Sequence, residues 1–231
     1  MQHESEQDTW KRMAGEAAAD YIENGMVIGI GTGSTAAYMM MALARRLHEG
    51  LTIIGAVPTS QATEQLASSL GIPLTNLDTY PELDLAIDGA DEIDDQLRLI
   101  KGGGGALLRE KIVAASSRRF IVIGDTTKLV SRLGQTAALP VETVSFGVTP
   151  VRRQLEAMGA IVQLRQREGR VFQTDNCNVI LDCFFAQGIE DPERLDASIR
   201  GIVGAVETGL FLQMTERAII GGERGLQILS K

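Results

Sequence analysis

The chain has 231 residues, 44% apolar and 23% charged, enough for one large domain or a medium one with a small companion. A net charge of −8 sets an average field that repels a phosphate-rich polymer and argues against nucleic acid, while local lysines leave small anions open as ligands. No apolar run approaches a membrane span, the polar start MQHESEQDTW does not read as a signal peptide, and Cys177 and Cys183 form neither a disulfide framework nor a zinc pattern, so a cytoplasmic protein without membrane or metal is expected.

Residues 1–8 read as a tail, and Ala-rich spacing predicts a helix over 9–23, stopped by Asn24-Gly25. MVIGI (26–30) reads as a buried strand, 34–48 as a helix, LTIIGAV (51–57) as a strand and 60–70 as a helix ended by Gly71. This alternation argues for a parallel sheet with crossover helices. LDLAID (83–88) alternates, with Leu83, Leu85 and Ile87 on one face; LRLIK (97–101) and RFIVIG (119–124) are further strands, with a helix over 105–116 between them. Past Gly134 the order becomes strand (138–145), helix (149–158), strand (160–165), strand (178–184), helix (191–200), strand (202–207). That is the β-α-β-β-α-β order of a ferredoxin-like unit. The fold class expected is therefore α/β: a doubly wound parallel-sheet main domain over 1–133 and 208–231, with a smaller ferredoxin-like α+β domain over 134–207.

Three motifs carry chemistry. GIGTGSTA (29–36) follows a strand and opens a helix, so its glycines and the free N–H groups of the helix start suit a phosphate, aided by the hydroxyls of Thr32, Ser34 and Thr35. It lacks the Gly-Lys-Ser/Thr of a P-loop and the third glycine of a dinucleotide fingerprint; a plain glycine turn is the alternative. AIDGADEID (86–94) sets Asp88 and Asp91 on either side of Gly89-Ala90. Two carboxylates this close disfavour double ionisation, which suits acid–base work; a solvated acidic turn and a metal site are the competing readings. KGGGGALLREK (101–111) places four glycines after Lys101 and Glu110 in the following helix. So many glycines are entropically costly unless something approaches the backbone closely. The helical neighbours of Glu110 at i±3 and i±4, namely Ala106, Leu107, Val113 and Ala114, are all apolar, and partial desolvation would raise its pKa toward that of a general base. An exposed, ion-paired Glu is the alternative. Each motif begins at a predicted strand end, so in a parallel sheet all three open on the edge where such sheets bind ligands. Lys128, after the 119–124 strand, falls on the same edge; Lys11 is a helix lysine within reach of a phosphate; His3 and His48 read as incidental.

With these motifs in this order, together with GDTTK (124–128), LPVET (139–143), TDNCNVILD (174–182) and GLF (209–211), the chain resembles the type A ribose-5-phosphate isomerase family from about Lys11 onward. The resemblance implies interconversion of ribose 5-phosphate and ribulose 5-phosphate without metal or organic cofactor, in a homodimer or homotetramer. It implies Glu110 as proton acceptor, and substrate contacts at Thr32, Gly33, Ser34, Thr35, Asp88, Gly89, Ala90, Asp91, Lys101, Gly102, Gly103, Gly104, Lys128 and Lys11. Lys101 and the glycine N–H groups would stabilise an enediolate, and Asp88 and Asp91 would shuttle hydroxyl protons. Cys177 stands where the family more often has Gly, which bears on the turn geometry of the small domain and not on the chemistry. Rival readings are a sugar-phosphate-sensing regulator, which is expected to carry a DNA-binding segment and is disfavoured by the acidic charge and the α/β pattern beginning within about 25 residues, and an amino-sugar-phosphate isomerase or CoA transferase on a similar scaffold, which is not expected to join DGADE with KGGGG.

Overall fold

The structure, a computed structural model, describes residues 5–230; His3 and the first part of the expected tail lie outside them. In chain order the elements are α1 (Glu6–Ala19), β1 (Val27–Ile30), α2 (Ser34–His48), β2 (Gly55–Pro58), α3 (Gln61–Ser69), β3 (Leu85–Gly89), β4 (Glu92–Ile93), β5 (Leu99–Ile100), α4 (Leu107–Ala115) and β6 (Phe120–Asp125). There follow β7 (Leu139–Thr143), α5 (Val148–Ala157), β8 (Ile161–Leu164), β9 (Gln166–Arg167), β10 (Arg170–Val171), β11 (Val179–Phe184), α6 (Pro192–Arg200), β12 (Ala205–Thr208), β13 (Leu210–Phe211), β14 (Arg217–Gly222) and β15 (Gly225–Ser230). The chain folds into two compact units: Met1–Ala90, Arg109–Lys128 and Met214–Lys231 form one, and Asp91–Leu108 with Leu129–Gln213 the other. Among the described residues no helix is long and apolar enough to cross a membrane.

The first unit is built on a six-stranded sheet in the order β15-β14-β6-β3-β1-β2. Its strands are parallel except β15, which returns antiparallel from β14 as an edge. The central strands are buried, apart from Gly89 at the end of β3, as expected where helices cover both faces of a parallel sheet. The sheet core joins Ile28, Ile30, Leu85, Ile87, Ile121 and Ile123 to Met39, Met40 and Leu43 of α2 and Ala14 and Ala18 of α1. Helix α1 crosses α2 so closely that a Cβ on Gly15 would lie 2.7 Å from the backbone nitrogen of Met39; the Ala/Gly face of α1 is what permits it. This helix starts earlier than residue 9. Ser5 caps it by accepting the N–H of Asp8 at 3.1 Å, so the Ser-Glu-Gln-Asp run is a capping sequence and not a tail.

The second unit holds a four-stranded antiparallel sheet, β12-β7-β11-β8, crossed by α5 and α6. Its order and connections are those of the ferredoxin-like unit, around a core of Leu139, Val141, Val151, Leu155, Leu181, Cys183 and Ile199. The turn after β9 carries Glu168 and Gly169 at φ 54° and 74°, making a small hairpin with β10.

One expectation needs correction. LRLIK is not a strand of the parallel sheet: β5 lies in a separate three-stranded antiparallel sheet, β13-β5-β4, in the second unit. Two paired residues are too few to span the main sheet, and β4, close in sequence, and β13, brought back from far along the chain, supply the hydrogen bonds instead. The 208–231 segment divides accordingly. β13 serves the second unit, and β14 and β15 complete the large sheet of the first.

Candidate active site

In the first unit, the GTGST loop and Asp88 lie at the C-terminal edge of the parallel strands. The chain goes from β1 outward to β2 and then returns to β3 on the other side of β1, so the loops after β1 and β3 flank a reversal of strand order, the usual place for a ligand crevice. Here Asp88, only 2% exposed, accepts the N–H of Thr32 at 3.0 Å and of Gly89 at 2.7 Å through Oδ1. Gly31 must lack a side chain, because a Cβ there would sit 2.0 Å from Asp88 Oδ1. The Thr32 hydroxyl turns inward to Thr59, Ser60 and Thr63 at 2.8, 2.9 and 2.9 Å, and Thr63 Oγ1 donates to the Gly31 carbonyl at 3.1 Å. Thr32 thus ties the loop to β2, α3 and Asp88, while exposed Gly33 and Ser34 open α2 and Thr35 is buried in its first turn.

Glu110 occupies the first turn of α4 and is 4% exposed. Its helical neighbours Ala106, Leu107, Val113 and Ala114 are all buried, so the desolvated position expected from the sequence is the one found. One turn further on, Val113 packs where a Cβ on Gly29 would stand, 2.3 Å from Val113 Cγ1. Since α4 leads into parallel β6, its N-terminal turn, with Glu110, lies at the C-terminal edge of the sheet. Lys128 ends the turn after β6, with its stem 3.4 Å from the Cβ position of Gly124. That turn is set by buried Asp125, whose Oδ1 accepts the N–H of Thr127 at 2.9 Å and whose Oδ2 accepts Gln7 Nε2 at 3.3 Å. Lys11 is one helical turn after Gln7 on the same face of α1, and so on the side facing this turn.

In the second unit, Asp91 and the glycine run are bound to each other. The N–H of Asp91 donates to the Ile100 carbonyl at 2.8 Å, and Asp91 Oδ2 accepts the N–H of Gly103 at 2.7 Å. Lys101 is 2% exposed, with its ammonium 5.4 Å from the centre of the Phe211 ring, a cation–π arrangement. Its backbone N–H donates to Gly209 at 2.9 Å. The close approaches that the glycines imply are explicit: a Cβ would meet Leu107 and Pro140 at Gly102, Asp91 at Gly103, and the Phe172 ring at 2.3 Å at Gly105. Gly103 and Gly104 are the exposed members of the run. Among the described residues there is no group of three or more His, Cys, Asp or Glu side chains that could hold a metal ion.

The chain is similar to known proteins over most of its length. The profile of the ribose 5-phosphate isomerase A (phosphoriboisomerase A) family matches residues 55–225. The chain belongs to that family. It is 54% identical to ribose-5-phosphate isomerase A of Roseiflexus castenholzii over 94% of this chain and 93% of the relative. To the Bacillus mycoides enzyme of that name it is 50% identical over 94% and 97%. The structure matches ribose 5-phosphate isomerase from Plasmodium falciparum with a TM-score of 0.94, at 41% identity over 97% of this chain and 99% of that one. A D-ribose-5-phosphate isomerase in complex with phospho-erythronic acid matches with a TM-score of 0.95 at 36% identity, over 98% and 100%. By family, then, the protein is an enzyme of the aldose–ketose isomerase class.

Two buried carboxylates lie inside the quoted segments, but the sequence did not single them out. The buried carboxylate of Glu92 accepts the N–H groups of Gly134, Thr136 and Ala137 at 2.5, 2.5 and 2.7 Å, fixing the loop before β7. Glu142, fully buried, accepts Thr174 Oγ1, Asn176 Nδ2 and Asn178 Nδ2 at 3.0, 3.2 and 2.9 Å. These bonds shape the 174–178 turn, where Cys177 takes the left-handed backbone, φ 62°, that a Gly would adopt more easily. For Glu142 the LPVET and TDNCN segments were a clue, but their pairing across 32 to 36 residues is visible only in three dimensions.

Proposed function

We propose that the protein interconverts D-ribose 5-phosphate and D-ribulose 5-phosphate through an enediolate, with Glu110 as general base. The observation that carries this reading is the buried carboxylate of Glu110 on the first turn of α4, at the same edge of the parallel sheet as the GTGST loop and Asp88. A carboxylate held away from water at a phosphate-binding edge suits proton transfer between adjacent carbons.

In the aldose-to-ketose direction Glu110 takes the proton from C2, the carbonyl oxygen at C1 gains negative charge, and the proton returns to C1 as the C2 oxygen becomes the carbonyl. Lys101 and the N–H groups of Gly102 to Gly104 stabilise the oxyanion, an electrostatic contribution that is commonly the largest in catalysis. Asp88 and Asp91 move hydroxyl protons and assist opening of the furanose ring. Gly33, Ser34 and Thr35 bind the phosphate at the start of α2 with help from Lys128 and Lys11, and this remote binding orients the reacting carbons. Thr32, Gly89 and Ala90 complete the substrate contacts. The reaction uses no metal or organic cofactor. The same reading carries a homodimer or homotetramer and a cytoplasmic place in the non-oxidative pentose phosphate pathway.

The deciding experiment measures isomerisation of ribose 5-phosphate and of a hexose phosphate by the purified protein, with and without a chelator, alongside Glu110→Gln. Turnover of the pentose phosphate alone, unaffected by chelation, is expected. Glu110→Gln should keep the fold and lower kcat by at least about 100-fold, the scale of one general base; a near-normal kcat overturns the assignment. Phospho-erythronic acid, named in the complex of a structural relative, should compete with substrate.

A further inference from the structure

The middle of the glycine run is held by a group that none of the roles above uses. Arg165 follows β8, and its side chain is 13% exposed against Asp182 of β11, itself 17% exposed. Arg165 Nε and Nη2 donate to the two carboxylate oxygens of Asp182 at 2.9 and 2.5 Å, the two-pronged geometry that fixes a guanidinium in plane and direction. The third nitrogen, Nη1, donates to the carbonyl oxygens of Gly102 at 2.7 Å and Gly103 at 3.1 Å. Asp182 aims the fork, and the fork holds two successive carbonyls.

A trans peptide directs its N–H opposite to its C=O, and the described chain has no cis peptide bonds. With the Gly102 carbonyl turned toward Arg165, the N–H of Gly103 points the other way, where it meets Asp91 Oδ2 at 2.7 Å. With the Gly103 carbonyl turned the same way, the N–H of Gly104 also points away from Arg165. Glycine peptides have unusual freedom to flip, and a flip would put a carbonyl oxygen where an anion needs a donor. Leu107 and Pro140 at Gly102, and Phe172 at Gly105, pack the two ends of the run, and the Gly105 N–H closes a turn on the Gly102 carbonyl at 3.0 Å; Arg165 adds a second bond to that carbonyl and one to the carbonyl of Gly103.

We propose that Arg165, aimed by Asp182, is a positioning residue for the isomerisation: it sets the 102–104 peptide planes so that the Gly103 N–H holds Asp91 in place and the Gly104 N–H faces the developing oxyanion. This rests on the isomerase reading above. It extends that reading to a pair of residues, one outside every motif and one at the end of TDNCNVILD.

The test uses Arg165→Ala and Asp182→Asn in the full-length protein. Arg165→Ala should lower kcat at least about tenfold, approaching the ~100-fold cost of losing an oxyanion donor. KM should stay within about threefold, because the phosphate contacts are untouched. Free guanidinium ion at millimolar concentration should restore part of kcat. Asp182→Asn keeps the shape of the pair and should show the same split more weakly. Independently of activity, amide exchange at Gly103 and Gly104 should quicken at least about tenfold in either variant, as expected when a local restraint on backbone opening is removed. Parent-like kcat and parent-like glycine exchange in a folded Arg165→Ala protein overturn the inference; if that variant does not fold, the same results in Asp182→Asn overturn it. Should the parent itself fail to turn over ribose 5-phosphate, the functional reading falls, and the exchange measurement still decides whether Arg165 sets the loop.

Discussion

Replacing Gly31 with Ala isolates the contact that joins the GTGST loop to the acidic motif. Gly31 has no left-handed backbone angle, so alanine meets no conformational penalty, and the effect is purely steric. The added Cβ would lie 2.0 Å from Asp88 Oδ1, 2.3 Å from Cγ and 2.6 Å from Cα, against the 3.0 Å that real Cβ atoms essentially never breach. The carboxylate can rotate away, but Cα cannot, so β1 and β3 must part locally. Overpacking of this kind costs about 1–3 kcal/mol, and loss of the charged Thr32-to-Asp88 hydrogen bond adds about 1.5–3 kcal/mol. The sum, roughly 3–6 kcal/mol, is a large part of the ~5–15 kcal/mol typical of a folded domain, and lowers the melting temperature by roughly 10 °C or more. In whatever fraction folds, Asp88 is displaced by about 1 Å, enough to reduce kcat about 100-fold. Gly25→Ala is the control: it has φ 79° but nothing within 4 Å of its Cβ, so only the backbone term of about 1–2 kcal/mol applies and kcat holds. Urea denaturation with a ribose 5-phosphate isomerase assay measures both. A Gly31→Ala protein with the parent's midpoint and kcat would refute the steric reasoning.

Three further outcomes follow from the cysteines. Cys177→Gly should raise stability by about 0.5–1 kcal/mol in urea denaturation without changing kcat, since an exposed non-glycine residue at φ 62° carries left-handed strain that exceeds the entropy glycine adds to the unfolded chain. Burial, with a smaller contribution from the charge of Asp182, pushes the Cys183 thiol up to about 12. A thiol reagent at pH 8 should therefore titrate only Cys177 in the folded protein and both cysteines in denaturant. In the same way, as pH climbs from the ordinary thiol pKa of 9.0 toward about 12, the unfolded chain releases this proton while the folded one keeps it, so the Cys183 contribution falls with rising pH.

Much of the fold was legible because its signals are local. The apolar runs of β1, β3 and β6, the caps of α3 and α6, and the helix–strand rhythm each depend on residues close in sequence. The strand-helix-strand order after Gly134 likewise led to the ferredoxin-like sheet. The failures have physical causes. β4, β5 and β13 are two residues each, too short for periodicity to register, and their sheet forms only when residues 210–211 come back to 99–100. The early start of α1 was readable in its Ser-Glu-Gln-Asp cap, whose polarity instead suggested a tail.

By itself the sequence determined the α/β class, the loop and acidic motifs, the apolar surroundings of Glu110 and the resemblance to a sugar-phosphate isomerase family. All of these follow from short-range pattern or from motif order. Tertiary structure alone decided that KGGGG follows an antiparallel strand and not one of the parallel sheet. It also decided that Gly31 makes room for Asp88, that Thr32 turns inward to a cluster of hydroxyls, and that Arg165 holds carbonyls more than sixty residues away. These are matters of direction and contact between distant segments. A glycine in the sequence says only that some atom comes close; which atom, and which way the peptide then faces, is set by the packing of strands and loops that the chain brings together on folding.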